Sequence, residues 1–181
     1  MAIAMWRLAA LLLTALSMGL AFCHVMELPA KMMHPPQFYA AVNSTLYGAF
    51  GVIGAAVVVG GVAATAVLAW LVRQRRPAFR WTLAAAICFA LSLAMWRILV
   101  YPVNAEAVRA WESVYAAEIE TLELEVFRSP PEPVVQVWAQ QRQRWEYGHA
   151  TTFVIQLLGF GALAWSILVE TRLGRGAEVE G

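Results

Sequence analysis

With 181 residues, 61% of them hydrophobic and 14% charged, and a mean hydropathy of +0.61, the chain lies far from a soluble globular composition. The length corresponds to about one domain. A net charge of +1 supplies no basic surplus to offset nucleic-acid phosphate, so the class that remains is a membrane protein.

Four apolar runs follow one another at 5–23, 49–72, 81–101 and 151–169. Each is close to the roughly 20 residues that cross a hydrocarbon core, and lipid offers backbone amides no partners, so each is expected to be a helix. The expected fold is all-α: a single membrane domain, 1–181, built as a four-transmembrane-helix bundle with a two-helix amphipathic cap on its outer side. The first run, with Arg7, Gly19 and Ala21, has features of a cleavable signal peptide. Phe22 before Cys23 makes a poor lipoprotein site, and polar residues continue along one helical face, which favours a retained helix. Cys23 and Cys88 form no C-x-x-C. Their expected depths differ by roughly 15 to 20 Å, whereas a disulfide needs Cα atoms within about 7 Å, so dithiol chemistry is excluded.

The segment 24–48 carries His24, Glu27 and Lys31, then His34 in MMHPPQ, which reads as a solvent-facing loop residue. Met26, Met32 and Met33 make no M-x-x-M array and suit packing rather than copper. Asn43 and Tyr47 stand at the entry to the second run, where Ala56, Gly60 and Ala64 form a small-xxx-small row for packing within the bundle. The link RQRRPAFR contains Arg73, Arg75, Arg76 and Arg80 and no acid. The link after the third run spreads its arginines among Glu106, Glu112, Glu118, Glu120, Glu123, Glu125, Glu132 and Glu146. The positive-inside rule places the short basic link in the cytoplasm of a bacterial-type inner membrane, with both termini beside it. Arg7, Arg172 and Arg175 agree with that orientation.

Asn104 is placed to cap a helix whose apolar residues Val108, Trp111, Tyr115, Ile119, Leu122 and Val126 recur at three and four. Ser129, Pro130 and Pro131 end it. A second cap helix can begin at Pro133, with Val135, Trp138, Arg142, Trp145 and His149 on one face. Trp138 and Trp145 suit the headgroup level, and the glutamates of the cap suit a solvated face.

Polar residues share helical faces where they lie three or four apart. Thr14, Ser17, Ala21, His24 and Glu27 or Leu28 form one stripe, with Lys31 next in line, and Glu146, His149, Thr152 or Phe153, and Gln156 form another. Arg97 lies four residues before Tyr101. The topology brings His24-x-x-Glu27, Glu146-x-x-His149 and Arg97 to the outer mouth, since facing lipid would cost each ionised group several kcal/mol. Three readings fit. Arg97 pairs with Glu27 or Glu146 as interior polar glue; a histidine acts as a base; or His24, Glu27, Glu146 and His149 hold a metal, as Glu-x-x-His units do in di-iron bundles. The metal reading is the least favoured, because one unit is reversed and further glutamates are missing. No Gly-rich phosphate loop, Ser/His/Asp arrangement or haem motif appears.

Tyr101-Pro102-Val103-Asn104, Trp111, and Arg142-Gln143-Arg144-Trp145 with His149 together resemble the small four-helix membrane proteins that include the anthrone-oxygenase-like proteins. The resemblance covers the whole span pattern and marks Pro102, Asn104, Trp145 and His149. It implies oxidation of an activated aromatic carbon without a bound metal or flavin, although most members have no assigned activity. The sequence departs from the pattern in CHVMELPAKM and in its longer acidic outer segment, which argues against a polyketide substrate.

Two functions are therefore expected as alternatives. The enzyme reading is oxidation of a small lipophilic substrate, with His149 as base beside Glu146, Arg97 or Asn104 stabilising negative charge, and His24, Glu27, Trp145 and Tyr101 contacting the substrate. The other is a partner-binding or assembly protein whose acidic cap docks an envelope protein. Beyond the lipid bilayer, the partner is a small lipophilic ligand in the first case and an envelope protein in the second; no cofactor can be named. A transporter is disfavoured by the lack of an inverted repeat or a deep charged pathway.

Overall fold

The computed structural model describes residues 2–104 and 132–179. Among them there is no strand, and four helices are long and apolar enough to cross a membrane. They are α1 (Ala2–Met33), α2 (Pro36–Leu71), α3 (Arg76–Met95) and α4 (Glu132–Val179). α3 passes into a π-helical turn, Trp96–Val100, and the chain stays helical through 101–104.

The helices outrun the apolar runs. α1 has 32 residues, about 48 Å at about 1.5 Å each, against a hydrocarbon core about 30 Å thick. The segment 24–48 is helical except at His34 and Pro35. Glu27 and Lys31 end the hydrophobic run without ending the helix, because they and the Leu28 and Ala30 between them favour helix. Only Pro35-Pro36 stops it: Pro35 is extended, at φ −62° and ψ 155°, as a residue before proline prefers, and Pro36 opens α2. Pro29 lies inside α1 and withholds a donor from the Val25 carbonyl.

One expectation for the cap changes. The helix expected from Pro133, with no breaker but Gly148 before the fourth run, is the first part of α4, continuous for 48 residues. Asn104 is itself helical, whereas an N-cap residue is not, so it extends the third helix. The stripe Val108 to Val126, the glutamates 106–125, and the side chains of Glu132, Val135 and Trp138 lie outside the described residues.

α1 packs on α2 and α4, and α3 packs on α2 and α4. Large apolar side chains face outward, among them Leu12, Leu16, Val52, Val59, Ile87, Leu91, Leu157 and Leu158, while α1 turns Ala10, Thr14, Ser17, Ala21, His24 and Lys31 inward. This inverts a soluble protein and suits lipid contact, where small and polar residues let helices meet. The apolar core of Ala10, Ala64, Leu68, Val72, Ala85 and Leu163 fills one half of the molecule. At mid-height, Ser17 Oγ donates to Gln156 Oε1 (3.0 Å) and Gln156 Nε2 donates to Ser92 Oγ (2.8 Å), joining α1, α4 and α3.

The closest approach falls on α4, away from the small-residue row expected to carry it. A Cβ on Gly148 would lie 2.9 Å from Val100 Cγ2, and one on Gly159 2.9 Å from Cys88 Cβ. These glycines are about three helical turns apart and so share the face toward α3. In the α2 row Ala64 is buried and Gly60 meets Leu13 at an ordinary 3.5 Å, but Ala56 is exposed. Cys23 and Cys88 are both free.

At one end of the molecule the Glu170 carboxylate takes Arg7 on one oxygen and Arg75 on the other, joining α1 and the α2–α3 link to α4. Arg73 caps α2 by donating to the Trp70 carbonyl at 2.8 Å. We call this the arginine end. His24 lies seventeen residues beyond Arg7 and His149 twenty-one before Glu170, about 26 and 32 Å along their helices. The candidate site therefore stands at the other edge of a hydrocarbon-sized span.

Candidate functional site

α1 and α4 build the site from residues more than a hundred positions apart. The His24 and His149 rings stack with centroids 4.0 Å apart and planes 28° from parallel. Trp145, one turn before His149, packs edge-on against both rings, at 5.1 Å from His24 and 4.4 Å from His149. Tyr47 of α2 adds a fourth ring, 4.9 Å from His24. The two polar stripes thus meet as expected, and His24, Glu146, His149 and Trp145 are buried.

Lys31 takes the role expected of Arg97. Its Nζ lies 2.9 Å from Glu27 Oε2 and 3.8 Å from Glu146 Oε1. Both contacts are ionic pairs; neither has the alignment of a directed hydrogen bond. The same ammonium sits 4.1 Å from the Tyr47 ring centre and 5.0 Å from that of Trp145, a cation–π arrangement that strengthens away from water. Each carboxylate also receives a phenol: Tyr47 donates to Glu27, and Tyr39 donates to Glu146 Oε1 at 2.9 Å. Burial, and after it the facing Glu146 carboxylate, push the Tyr39 phenol above its ordinary value, which keeps it a donor.

Three buried atoms of this cluster have no hydrogen-bond partner: Lys31 Nζ, which keeps its two ion pairs, His24 Nδ1 and Glu146 Oε2. Such atoms are costly, at about 1–3 kcal/mol each and more where charge is involved. Around them the backbone is tied down. The His34 carbonyl, left open at the end of α1, accepts from Arg142 Nη1 at 3.1 Å. Pro102 cannot donate to the Ile98 carbonyl four residues back, and Arg144 Nη2 donates to that carbonyl at 2.9 Å. The Trp145 indole donates to Asn104 Oδ1 at 2.6 Å, and Val100, Val103, Trp96 and Leu99 pack around Trp145. The π turn, a feature that frequently marks functional sites, carries Leu99 and Val100 against Gly148.

Several expected site residues stand elsewhere. Arg97 is exposed, its guanidinium 4.0 Å from the Tyr101 ring centre. Tyr101 is itself exposed and packs on Trp96 at 5.8 Å. Both lie on the third helix and pack on each other at its surface, and neither joins the histidines. Asn104 is exposed and serves Trp145. His34 is a half-buried bridge at the α1–α2 break, its ring 4.6 Å from Phe38, and not a free loop residue. Glu27 joins the cluster with a partly open side chain. No three of His, Cys, Asp or Glu converge to hold a metal ion among the described residues: the imidazoles stack face to face, and Glu27 is engaged by Lys31 and Tyr47. Tyr39 was not singled out from the sequence, and Lys31 only as the next position on its stripe. Its spacing of four from Glu27 was the available signal for the ion pair.

No family model matches the sequence, and no curated protein or solved structure matches it.

Proposed function

We propose that this multi-pass membrane protein carries a proton-transfer site at the outer rim of its helices, in a bacterial-type inner membrane, working on a small lipophilic substrate. His149 is the base, His24 its stacked partner, and Glu146 the carboxylate that passes the proton on. The observation that carries this reading is the burial, within one cluster, of two stacked imidazoles and a carboxylate, with His24 Nδ1 and Glu146 Oε2 lacking hydrogen-bond partners. A group that only held helices together would gain from satisfying those atoms, whereas one that exchanges protons with a guest needs them open. Oxidation of an activated aromatic carbon, as the family resemblance implies, is one reaction such a base can start. Its charge-stabilising groups would then be Lys31 and Glu146-bound Tyr39 in place of Arg97 and Asn104.

The test compares lipophilic extracts, by mass spectrometry, of cells expressing the wild-type chain, His149→Ala or Glu146→Gln at matched folded levels. The wild type changes a small lipophilic species and both variants lose at least nine-tenths of that change. Extracts that stay alike across all three would remove the enzyme reading. Both termini and the Arg73–Arg80 link belong to the cytoplasm in this proposal, because that link is basic and free of acid. A green fluorescent protein fused after Gly181 should fluoresce; a dark but full-length fusion would reverse the orientation.

A further inference from the structure

The chain has twelve arginines and one lysine, and that lysine, Lys31, is 3% exposed in the centre of the cluster. Everywhere else that the chain needs a cation it uses a guanidinium, which stays charged and is no nucleophile; an amine can lose its proton and attack. The surroundings suit that chemistry. Tyr47 and Trp145 give Nζ apolar walls, and Glu27 and Glu146 flank it at 2.9 and 3.8 Å. Glu146 Oε2 is open to a new donor. The Glu27 side chain is 42% exposed against 4% for Lys31, so the amine lies one side chain behind an open flank at the edge of the span.

We infer that Lys31 forms an imine with a lipophilic aldehyde or ketone entering past Glu27. This deepens the proton-transfer reading above and rests on it. A carboxylate or imidazole of the cluster takes one proton from the ammonium. The Nζ lone pair then forms a bond to the carbonyl carbon, and the carbonyl π pair moves to oxygen, which is protonated to a carbinolamine. The nitrogen gives up its second proton to the same cluster, which delivers it to the oxygen as the C–O bond breaks, and water leaves. The sum is carbonyl plus ammonium giving iminium plus water, with no change of oxidation state. The iminium keeps its positive charge where the ammonium had it, between the two carboxylates and over the Tyr47 ring, so the ion pairs survive the reaction.

Full-length protein in lipid nanodiscs is incubated with cinnamaldehyde or decanal and sodium cyanoborohydride, followed by peptide mapping. The single lysine makes the assignment unambiguous, and the N-terminal amine and free N-acetyl-lysine amide serve as references. Lys31 should be alkylated at least tenfold faster than either reference, with saturation in aldehyde, and Glu146→Gln should slow it at least fivefold. Labelling of the wild type no faster than the references overturns the proposal, and this readout needs no variant to fold. If no adduct forms while the lipid extract still depends on His149, the imine is wrong and the proton-transfer site stands; if the extract dependence is also missing, both fall.

Discussion

Each end of the molecule has a three-membered ion cluster, and the two are built oppositely. At the arginine end one carboxylate, Glu170, lies between two guanidinium groups, with side chains 22% (Arg7), 19% (Glu170) and 51% (Arg75) exposed. At the histidine end one ammonium lies between two carboxylates, with Lys31 4%, Glu146 0% and Glu27 42% exposed. The first cluster is wet, satisfied and rich in arginine, as a helix tie requires. The second is dry at Lys31 and Glu146 and meets water only at Glu27, is roofed by aromatic rings, and leaves His24 Nδ1, Lys31 Nζ and Glu146 Oε2 without hydrogen-bond partners. Buried ion pairs add little net stability, since desolvation consumes most of the Coulomb gain. A chain that needed only to join helices at this height has a cheaper device in use already, the neutral Ser17–Gln156–Ser92 bridge one level deeper. The contrast teaches that the histidine end is organised around what it can exchange.

The sharpest way to break that contrast is to remove the central cation. Lys31→Met leaves Glu27 and Glu146 facing each other without compensation and should cost about 3–5 kcal/mol, read as a fall in thermal unfolding in detergent by circular dichroism. Adding Glu146→Gln to the same chain should restore a substantial part, because the stranded charge is then gone. If Lys31→Met unfolds no earlier than a variant of the arginine end, the two clusters are equivalent and the argument for a special site loses its energetic basis. Next in size is the packing that holds Trp145 and Glu146 in place. Gly148→Val inserts carbon where even a Cβ would stand 2.9 Å from Val100, and overpacking of this kind costs about 1–3 kcal/mol. Gly51→Ala, with nothing within 4 Å of the new Cβ, is the control and should be neutral or slightly stabilising. A Gly148→Val protein as stable as wild type would mean that the π turn does not seat α3 against the site.

The sequence made the spans legible because lipid imposes a length and a hydropathy that leave little choice of structure. It also made the seam legible: Thr14, Ser17, His24 and Lys31 on one side and Glu146, His149, Thr152 and Gln156 on the other are all buried, since a period of three and four determines which residues share a face. Helix ends were less legible. Hydropathy stops at Cys23, but hydrogen bonding continues to Met33, and helical propensity together with Pro35 decides the end, not polarity. The partners of the charges were misread for a similar reason. Arg97 is exposed within the π turn Trp96–Val100, and a π turn has no simple pattern in those residues. Lys31 was visible as a stripe position, and its status as the single lysine carried more information than its spacing.

The smallest expected effect tests the wet end. Arg75→Ala removes one of two arginines from Glu170 and leaves Arg7 in place, so the carboxylate keeps a partner and no buried charge is stranded. Exposed pairs are worth about 0.2–1 kcal/mol, and the loss should fall in that range at low salt. It should shrink further in about 1 M salt, where the screening length is about 3 Å. The Lys31→Met loss should keep most of its size under the same salt, because ions reach Glu27 but not the buried Lys31–Glu146 pair, at 4% and 0% exposed. Measuring both variants across salt separates screening from desolvation directly. Equal salt dependence at the two ends would mean that water and ions reach Lys31 as freely as Arg75, and the dry environment on which both the base and the imine depend would not exist.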